Sequence, residues 1–338
     1  MKTSAQKIFL FGVMILITLM FGKYSQGEMD SDTNIKEDKI KLSPAALEET
    51  VLEAVQALEE KQEERRVETS NALKTEEEAV LEVLTEEKSI QQEESLAPNF
   101  SAAIVSVSNL NSRDVFFQSE DAKRWPMASI TKLMTAVVAF KKIEQSAVIE
   151  VTPKSFEFLE EEVSKIKVGE QYSRDDLIEI MLGTSSNEAA EVIANFYGRE
   201  KFLEEMNLQA NEWGLSNTHF KDPTGISVSN QSSASDLREM ATRIYSENPT
   251  IFEITRRAKV DVRELVSKKV YSFTSNNTFT ARKDFFGGKT GYTDEAQQNL
   301  LSIFKYDNQP ILIIVLGTAD RFEQTENLFN WYKNIYLR

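Results

Sequence analysis

After residue 96 the sequence alternates strand-like and helix-like segments, and this order limits the possible folds more than any other feature. Strand patterns open the region, helix patterns fill its middle, and strand patterns return before a final helix. Strands at both ends with helices between predict an α+β layer fold whose terminal segments share one sheet. The strand patterns cover residues 102–108, 114–118, 269–278, 285–293, 300–306 and 311–317, and the helix patterns begin near residues 129, 173, 187, 201 and 324.

The charge of the 338-residue chain is concentrated in one segment. Residues 28–95 contain 21 acidic and 8 basic residues, whereas residues 96–338 contain 33 acidic and 28 basic residues. No basic surface for nucleic acid is indicated, and the acidic segment would repel a phosphate backbone. Residues 28–95 also carry apolar residues at helical spacing, which predicts an acidic helical spacer. A partner-binding stalk is the alternative interpretation of this segment.

The N-terminus has the order of an export signal. Lys2 and Lys7 precede an apolar run over residues 8–22, and Lys23 follows it. No A-x-A cleavage site follows, so a retained membrane anchor is favoured over a cleaved signal peptide. We therefore expect residues 1–27 to be a signal peptide or N-terminal anchor, and residues 96–338 to be an extracytoplasmic domain.

The absence of cysteine and the presence of a single histidine restrict the chemistry. Disulfides, thiolate metal sites and a cysteine nucleophile are excluded. His219 alone cannot form a multi-histidine metal site, and no metal or cofactor is predicted. A hydrolase of this composition needs another way to activate a nucleophile.

An S-x-x-K motif at Ser129 and Lys132 offers a way to activate a serine nucleophile. Residues three apart share a helix face, so the amine can reach the hydroxyl and act as its base if burial lowers the lysine pKa. The spacing alone is weak, because it also begins at Ser4, Ser164 and Ser302. Only Ser129 opens an apolar helix.

Two further motifs follow in order along the chain. An S-x-N motif at Ser185 and Asn187 lies between two predicted helices, where a loop can project a hydroxyl and an amide into a cleft. A K-T-G motif begins at Lys289 within a predicted strand, where Gly291 lets another backbone approach closely. Each motif is weak alone, but each falls on the element that the chemistry requires.

The ordered set resembles the active-site serine penicillin-recognising proteins. Residues 127–136, 217–225 and 288–293 narrow the resemblance to the low-molecular-mass D-alanyl-D-alanine carboxypeptidases, peptidase family S11. This resemblance implies a penicillin-binding/β-lactamase-like fold, with an antiparallel sheet flanked by helices and a mostly helical subdomain. It also implies a peptidoglycan stem peptide as substrate and β-lactams as inhibitors.

The resemblance also assigns roles to individual residues. Ser129 would be the acylated nucleophile and Lys132 its general base, while Ser185, with Lys289 nearby, would pass a proton to the departing D-Ala amine. The backbone N–H groups of Ser129 and Tyr292 would bind the oxyanion. The other substrate-binding residues implied are Asn187 for the substrate amide, and Lys289, Thr290, Gly291 and Arg321 around the terminal carboxylate.

Two departures from the family pattern concern the loops around this site. Ser186 and Glu188 stand where the family usually has glycine and aspartate, and Gln297 stands where it usually has glycine. They predict altered local geometry and an effect on efficiency more than on mechanism.

The function predicted from these residues is a serine-type D-Ala-D-Ala carboxypeptidase that trims stem peptides through a Ser129 acyl-enzyme. Three alternatives stay open: a D,D-endopeptidase acting on cross-links, a class A β-lactamase, and a non-catalytic wall-binding scaffold. The β-lactamase would need a deacylating glutamate between Asn187 and Lys289, and no convincing E-x-x-L-N pattern occurs there.

Overall fold

The computed structural model describes Lys61, residues 97–159 and residues 165–336. Its main element is a five-stranded antiparallel sheet in the order β2-β1-β11-β10-β9, so the first and last strands of this region are neighbours. The expected shared sheet is therefore confirmed. Its strands are β1 (Ile104–Asn109), β2 (Val115–Ser119), β9 (Phe285–Thr293), β10 (Gln297–Tyr306) and β11 (Gln309–Thr318).

The helices that the sequence predicts are all present, in the predicted order along the chain. Two further helices were not predicted from the sequence: α5, although its apolar residues have helical spacing, and α6, which has only six residues. The helices are α1 (Lys132–Lys142), α2 (Arg174–Thr184), α3 (Asn187–Tyr197), α4 (Arg199–Glu212), α5 (Ala234–Glu247), α6 (Thr250–Thr255) and α7 (Arg321–Tyr336).

Three two-stranded sheets complete the described region. They join β3 to β6, β4 to β5, and β7 to β8. The β8 strand is shorter than the predicted strand over residues 269–278, because Asn277 caps a 3-10 turn with its side chain. Their bounds are β3 (Trp125–Pro126), β4 (Val148–Glu150), β5 (Gln171–Ser173), β6 (Gln231–Ser232), β7 (Lys259–Arg263) and β8 (Val270–Thr274).

The main sheet is the middle layer of the fold, because its strands are apolar on both faces. In β11, Leu312, Ile314 and Leu316 pack with the cluster formed by α1 to α6, while Ile313 and Val315 pack with α7. Successive side chains of a strand point to opposite faces, so this continuous apolar run fills two cores. The arrangement confirms an antiparallel sheet flanked by helices.

The predictions for residues 1–27 and for the spacer over residues 28–95 lie outside the described residues, apart from Lys61 in a helix. None of the helices in the described ranges has the length and apolar character that a membrane crossing requires.

A close backbone contact joins the loop after α4 to the turn before α1. Gly225 has a φ of +88°, and a Cβ atom there would lie 2.0 Å from the carbonyl oxygen of Ala128. Gly214 has a φ of +72°, but nothing lies within 4 Å of its Cβ position. A comparison of substitutions at the two glycines therefore separates the cost of backbone strain from the cost of steric overlap.

We expect Gly225→Ala to lower the free energy of unfolding by about 3 kcal/mol or more, because strain and overlap add. Gly214→Ala should lower the free energy of unfolding by only about 1 kcal/mol, because it adds the strain of a left-handed backbone and no overlap. Urea denaturation of both variants measures the difference. Equal losses would show that the contact between Gly225 and Ala128 relaxes without cost.

Candidate active site

The turn before α1 carries the serine of the S-x-x-K motif. Residues Ala128–Thr131 form a 3-10 turn, and the α-helix proper begins at Lys132, three residues later than the predicted helix start. Ala128 has a φ of +47°, a left-handed conformation that is unfavourable for a residue with a Cβ atom. This tight turn places the Ser129 hydroxyl 2.9 Å from the Lys132 amine.

The Lys132 amine is surrounded by acceptors. Its Nζ atom donates to Ser129 Oγ at 2.9 Å, to Asn187 Oδ1 at 2.8 Å and to the Thr224 carbonyl at 2.6 Å. These three partners match the three N–H bonds of an ammonium group. The side chain is fully buried, so these three hydrogen bonds take the place of the contacts with water that an exposed amine would have.

Burial lowers the pKa of Lys132 to about 7 from its usual 10.5. The carboxylates of Asp222, Glu188 and Glu191 oppose this shift, in that order of strength. A neutral amine beside a hydroxyl can accept its proton, and a pKa near neutrality suits that task. The environment therefore provides the condition that the S-x-x-K motif needs.

A second serine and lysine pair lies beside the first. Ser185 ends α2 with a φ of +62°, and its hydroxyl accepts a hydrogen bond from Lys289 Nζ at 2.9 Å. Lys289 also donates to the Thr290 carbonyl at 2.9 Å. Its pKa is well below the usual value because of burial first, and then because of the positive charges of Lys132 and Arg321.

Asn187 reaches the site because a new helix starts there. The Ser186 side chain accepts from the Ala189 N–H at 3.1 Å and so caps α3, and it donates to Glu188 at 2.6 Å. Serine in place of the family's glycine thus gives this helix an N-cap. Asn187, the first residue of α3, points its Oδ1 atom at Lys132.

Strand β9 runs beside the 3-10 turn that carries Ser129. A Cβ atom on Gly291 would lie 2.8 Å from the Met127 carbonyl and 3.3 Å from the Ser129 nitrogen, so only glycine permits this approach. Arg321 donates from Nη1 to the Gly291 carbonyl at 2.9 Å. The Tyr292 side chain is 59% exposed, and its hydroxyl donates to Asp294. The K-T-G strand, the S-x-N loop and the S-x-x-K turn therefore meet in one place.

Comparisons with known proteins identify the family of the chain. The family described as D-alanyl-D-alanine carboxypeptidase, peptidase S11, matches residues 52–320. The chain belongs to the S11 peptidases. The match begins inside the predicted spacer, so the boundary at residue 96 stays a prediction.

Similar proteins include both carboxypeptidases and endopeptidases. A D-alanyl-D-alanine endopeptidase of Pseudomonas aeruginosa is 30% identical over 67% of this chain and 75% of its own length. The D-alanyl-D-alanine carboxypeptidase DacF of Bacillus subtilis is 28% identical over 61% of this chain and 54% of its own length.

The solved structures support the same fold at lower identity. A D-alanyl-D-alanine carboxypeptidase of Mycobacterium tuberculosis has a TM-score of 0.64 and 22% identity, over 70% of this chain and 92% of that one. The Streptomyces K15 DD-transpeptidase has a TM-score of 0.65 and 20% identity, over 69% and 97%. The fold of this S11 peptidase is therefore the predicted penicillin-binding fold.

The remaining motif copies and the histidine have other surroundings. Ser302 is buried in β10 while Lys305 is exposed, as the alternation of a strand requires. Another S-x-N sequence begins at Ser275, and the side chain of its Asn277 caps a 3-10 turn. His219 forms a backbone bridge with Gln231 and takes no part in the Ser129 or Ser185 hydrogen bonds.

The Gln297 departure has a visible backbone consequence. Gln297 starts β10 with a φ of +54°, in the region that glycine tolerates best. The residue still pairs with Thr293, so the hairpin that carries the K-T-G strand is retained at the cost of local strain.

The sequence did not indicate the Thr224 carbonyl as a contact of Lys132. The family resemblance covered residues 217–225, but a backbone acceptor has no side-chain signature. Two side chains that shape this loop, Asp222 and Asn230, were also missed. The only available signal was the match of the segment itself.

Lys132 should make stability depend on pH in a defined direction. The folded chain releases the Lys132 proton near pH 7, whereas the unfolded chain keeps it to about pH 10.5. The unfolded state binds more protons between these values, so Lys132 destabilises the fold as the pH falls from 10 to 7.

We expect Lys132→Met to abolish this contribution. The stability of the variant relative to the wild type should be roughly 3 kcal/mol more favourable at pH 7 than at pH 10. Chemical denaturation at the two pH values measures it, with Lys305→Met, at an exposed lysine, as the control. A pH-independent difference would contradict the low pKa.

Proposed function

We propose that Ser129 is the acylated nucleophile of this S11 serine D-Ala-D-Ala carboxypeptidase and that Lys132 is its general base. The observation that carries the proposal is the 2.9 Å contact between the Ser129 hydroxyl and a buried amine with a pKa of about 7. Ser129 Oγ attacks the carbonyl carbon of the penultimate D-Ala, and its proton passes to Lys132 Nζ.

The tetrahedral intermediate places negative charge on the former carbonyl oxygen. The backbone N–H groups of Ser129 and Tyr292 bind this oxygen, a role supported by the close approach of β9 to the nucleophile turn. The C–N bond then breaks, and the proton that Lys132 took from Ser129 passes by way of Lys289 and Ser185 to the leaving D-Ala amine, which leaves Lys132 neutral again. Water hydrolyses the ester on Ser129, which releases the shortened stem peptide and restores the enzyme.

The substrate carboxylate binds at Lys289 and Thr290, with Arg321 nearby. Burial, and then the positive charges of Lys132 and Arg321, lower the pKa of Lys289, and a bound carboxylate would oppose this by stabilising the charged amine. Asn187 binds the substrate amide. A terminal D-Ala carries the required carboxylate, and a β-lactam carries one at the equivalent position.

The family acts on peptidoglycan, so its members work in the cell envelope. For this chain we propose an extracytoplasmic location with residues 1–27 as the membrane anchor. The apolar run over residues 8–22 and the flanking lysines support this placement.

Benzylpenicillin tests the nucleophile directly. We expect a persistent covalent adduct in intact-protein mass spectra of the wild type and none in Ser129→Ala, because the acylated oxygen is gone. Ser302→Ala, at another S-x-x-K serine, is the matched control and should keep the adduct.

An adduct on Ser129→Ala would refute the nucleophile. No adduct on the wild type would favour a non-catalytic scaffold, and an adduct that disappears as the drug is hydrolysed would favour a β-lactamase.

D,D-endopeptidase activity is the second candidate, favoured by the 30% identity to the Pseudomonas aeruginosa endopeptidase. Both activities use the same acyl-enzyme and differ only in the leaving amine. We expect the full chain to release D-Ala from a pentapeptide muropeptide faster than it splits a D,D-cross-linked dimer. Mass spectrometry of the products measures both rates, with Ser129→Ala as the blank; faster cleavage of the dimer would assign the chain to the endopeptidases.

A further inference from the structure

The loop between α4 and α5 completes the surroundings of the base. Its Thr224 carbonyl lies 2.6 Å from Lys132 Nζ, the shortest of the three hydrogen bonds that this amine donates. A loop carbonyl is not held by a helix or a strand. Other groups must therefore fix its direction.

Asp222 does this with both carboxylate oxygens. Oδ1 accepts from the Thr224 N–H at 2.7 Å, the Thr224 hydroxyl at 2.7 Å and the Gly225 N–H at 2.6 Å. Oδ2 accepts from the Ser227 N–H at 2.8 Å. The residue is only 8% exposed, so these four charge-assisted bonds are largely shielded from water.

Asn230 connects the same loop to the nucleophile turn. Its Oδ1 atom accepts from the N–H groups of Lys221 and Asp222, and its Nδ2 atom donates to the Asp222 carbonyl and to Thr131 Oγ1. Its own carbonyl accepts from the Met127 N–H at 2.8 Å. A displacement of Asp222 would therefore be transmitted to both sides of Ser129.

We propose that Asp222 is a positioning residue for the Ser129–Lys132 pair: its carboxylate fixes the Thr224 carbonyl against the amine and supplies negative charge beside it. The inference rests on the proposed function, and nothing in the sequence motifs assigns this role. Of the carboxylates that favour the protonated amine, Asp222 has the largest effect, ahead of Glu188 and Glu191 on α3. The cation facing the amine is Lys289 on β9.

The charge of Asp222 therefore helps to set the pH at which the base becomes active. Burial alone would lower the basicity of the amine further, and Asp222 opposes it. The acylation rate should rise with pH as Lys132 loses its proton, with a midpoint near pH 7 in the wild type. Removing a nearby negative charge lowers the pKa and moves this midpoint to lower pH.

Two substitutions separate charge from geometry. Asp222→Asn keeps the shape and the three bonds to Oδ1, but loses the charge and the Ser227 bond. Asp222→Glu keeps the charge but moves the carboxylate away from the loop N–H groups. Asp236→Asn is the matched control: Asp236 is also buried, at 6% exposure, and binds the Asn217 N–H, but it does not contribute to the Lys132 pKa.

The measurement is the second-order rate constant of Ser129 acylation by benzylpenicillin from pH 5 to 10. We expect Asp222→Asn to move the midpoint down by about one pH unit and to lower the plateau less than tenfold. Asp222→Glu should keep the midpoint and lower the plateau by about tenfold or more, because the Thr224 carbonyl moves. Asp236→Asn should keep the wild-type midpoint.

An unchanged midpoint in Asp222→Asn, or a wild-type plateau in Asp222→Glu, would overturn the proposal. The same shift in Asp236→Asn would overturn it too, since the effect would then be a general loss of stability. If the longer side chain of Asp222→Glu prevents folding, the near-isosteric Asp222→Asn decides alone. Wild-type protein that is not acylated at Ser129 would refute the proposed function, and this inference with it, whereas normal wild-type acylation with unaffected variants refutes only the role of Asp222.

Discussion

The burial of one amine is the constraint on which the rest of the site depends. A lysine with no exposed surface is costly to keep protonated, and only a close set of acceptors keeps that cost moderate. Lys132 finds its acceptors on three separate parts of the chain: the turn before α1, the start of α3 and the loop after α4. The fold must bring these parts within 3 Å of one nitrogen atom, so its layers and loops serve a single polar cluster.

Close backbone packing makes this convergence possible. Gly225, in the loop after α4, and Gly291, in β9, both approach the 3-10 turn that carries Ser129. At each position a Cβ atom would overlap main-chain atoms of this turn or of the residue before it. On the other side, Asn299 in β10 donates to the Pro126 carbonyl and accepts from the Gly317 N–H, which ties the turn to the sheet. The turn is thus held by the rigid middle layer, and a site that needs fixed distances benefits from that support.

A feature of the fold or of the site could be predicted from the sequence only where it depends on the identity of particular side chains. The start of α3 and the bounds of β9 agree with the sequence patterns, because Ser186 caps the helix and aromatic residues and threonine stand at the two ends of the strand, around its glycines. Helix α6 is too short for a helical period to be recognised, whereas α5 has apolar residues at helical spacing and a Ser233 cap, signals that were overlooked. The meeting of the three motifs followed from family resemblance, whereas the Thr224 carbonyl could not be predicted, since any residue can present that oxygen.

The two lysines show how one residue type acquires two different electrostatic environments, on which the two roles proposed for them depend. The negative charges of Asp222, Glu188 and Glu191 restrain the effect of burial on Lys132, so its pKa is lowered only to about 7. Burial lowers the pKa of Lys289, and the positive charges of Lys132 and Arg321 add to this effect, so an incoming anion would stabilise the charged form of its amine. The proposed base and the proposed anion-binding group can therefore lie side by side, because the largest charge effects on the two amines differ in sign.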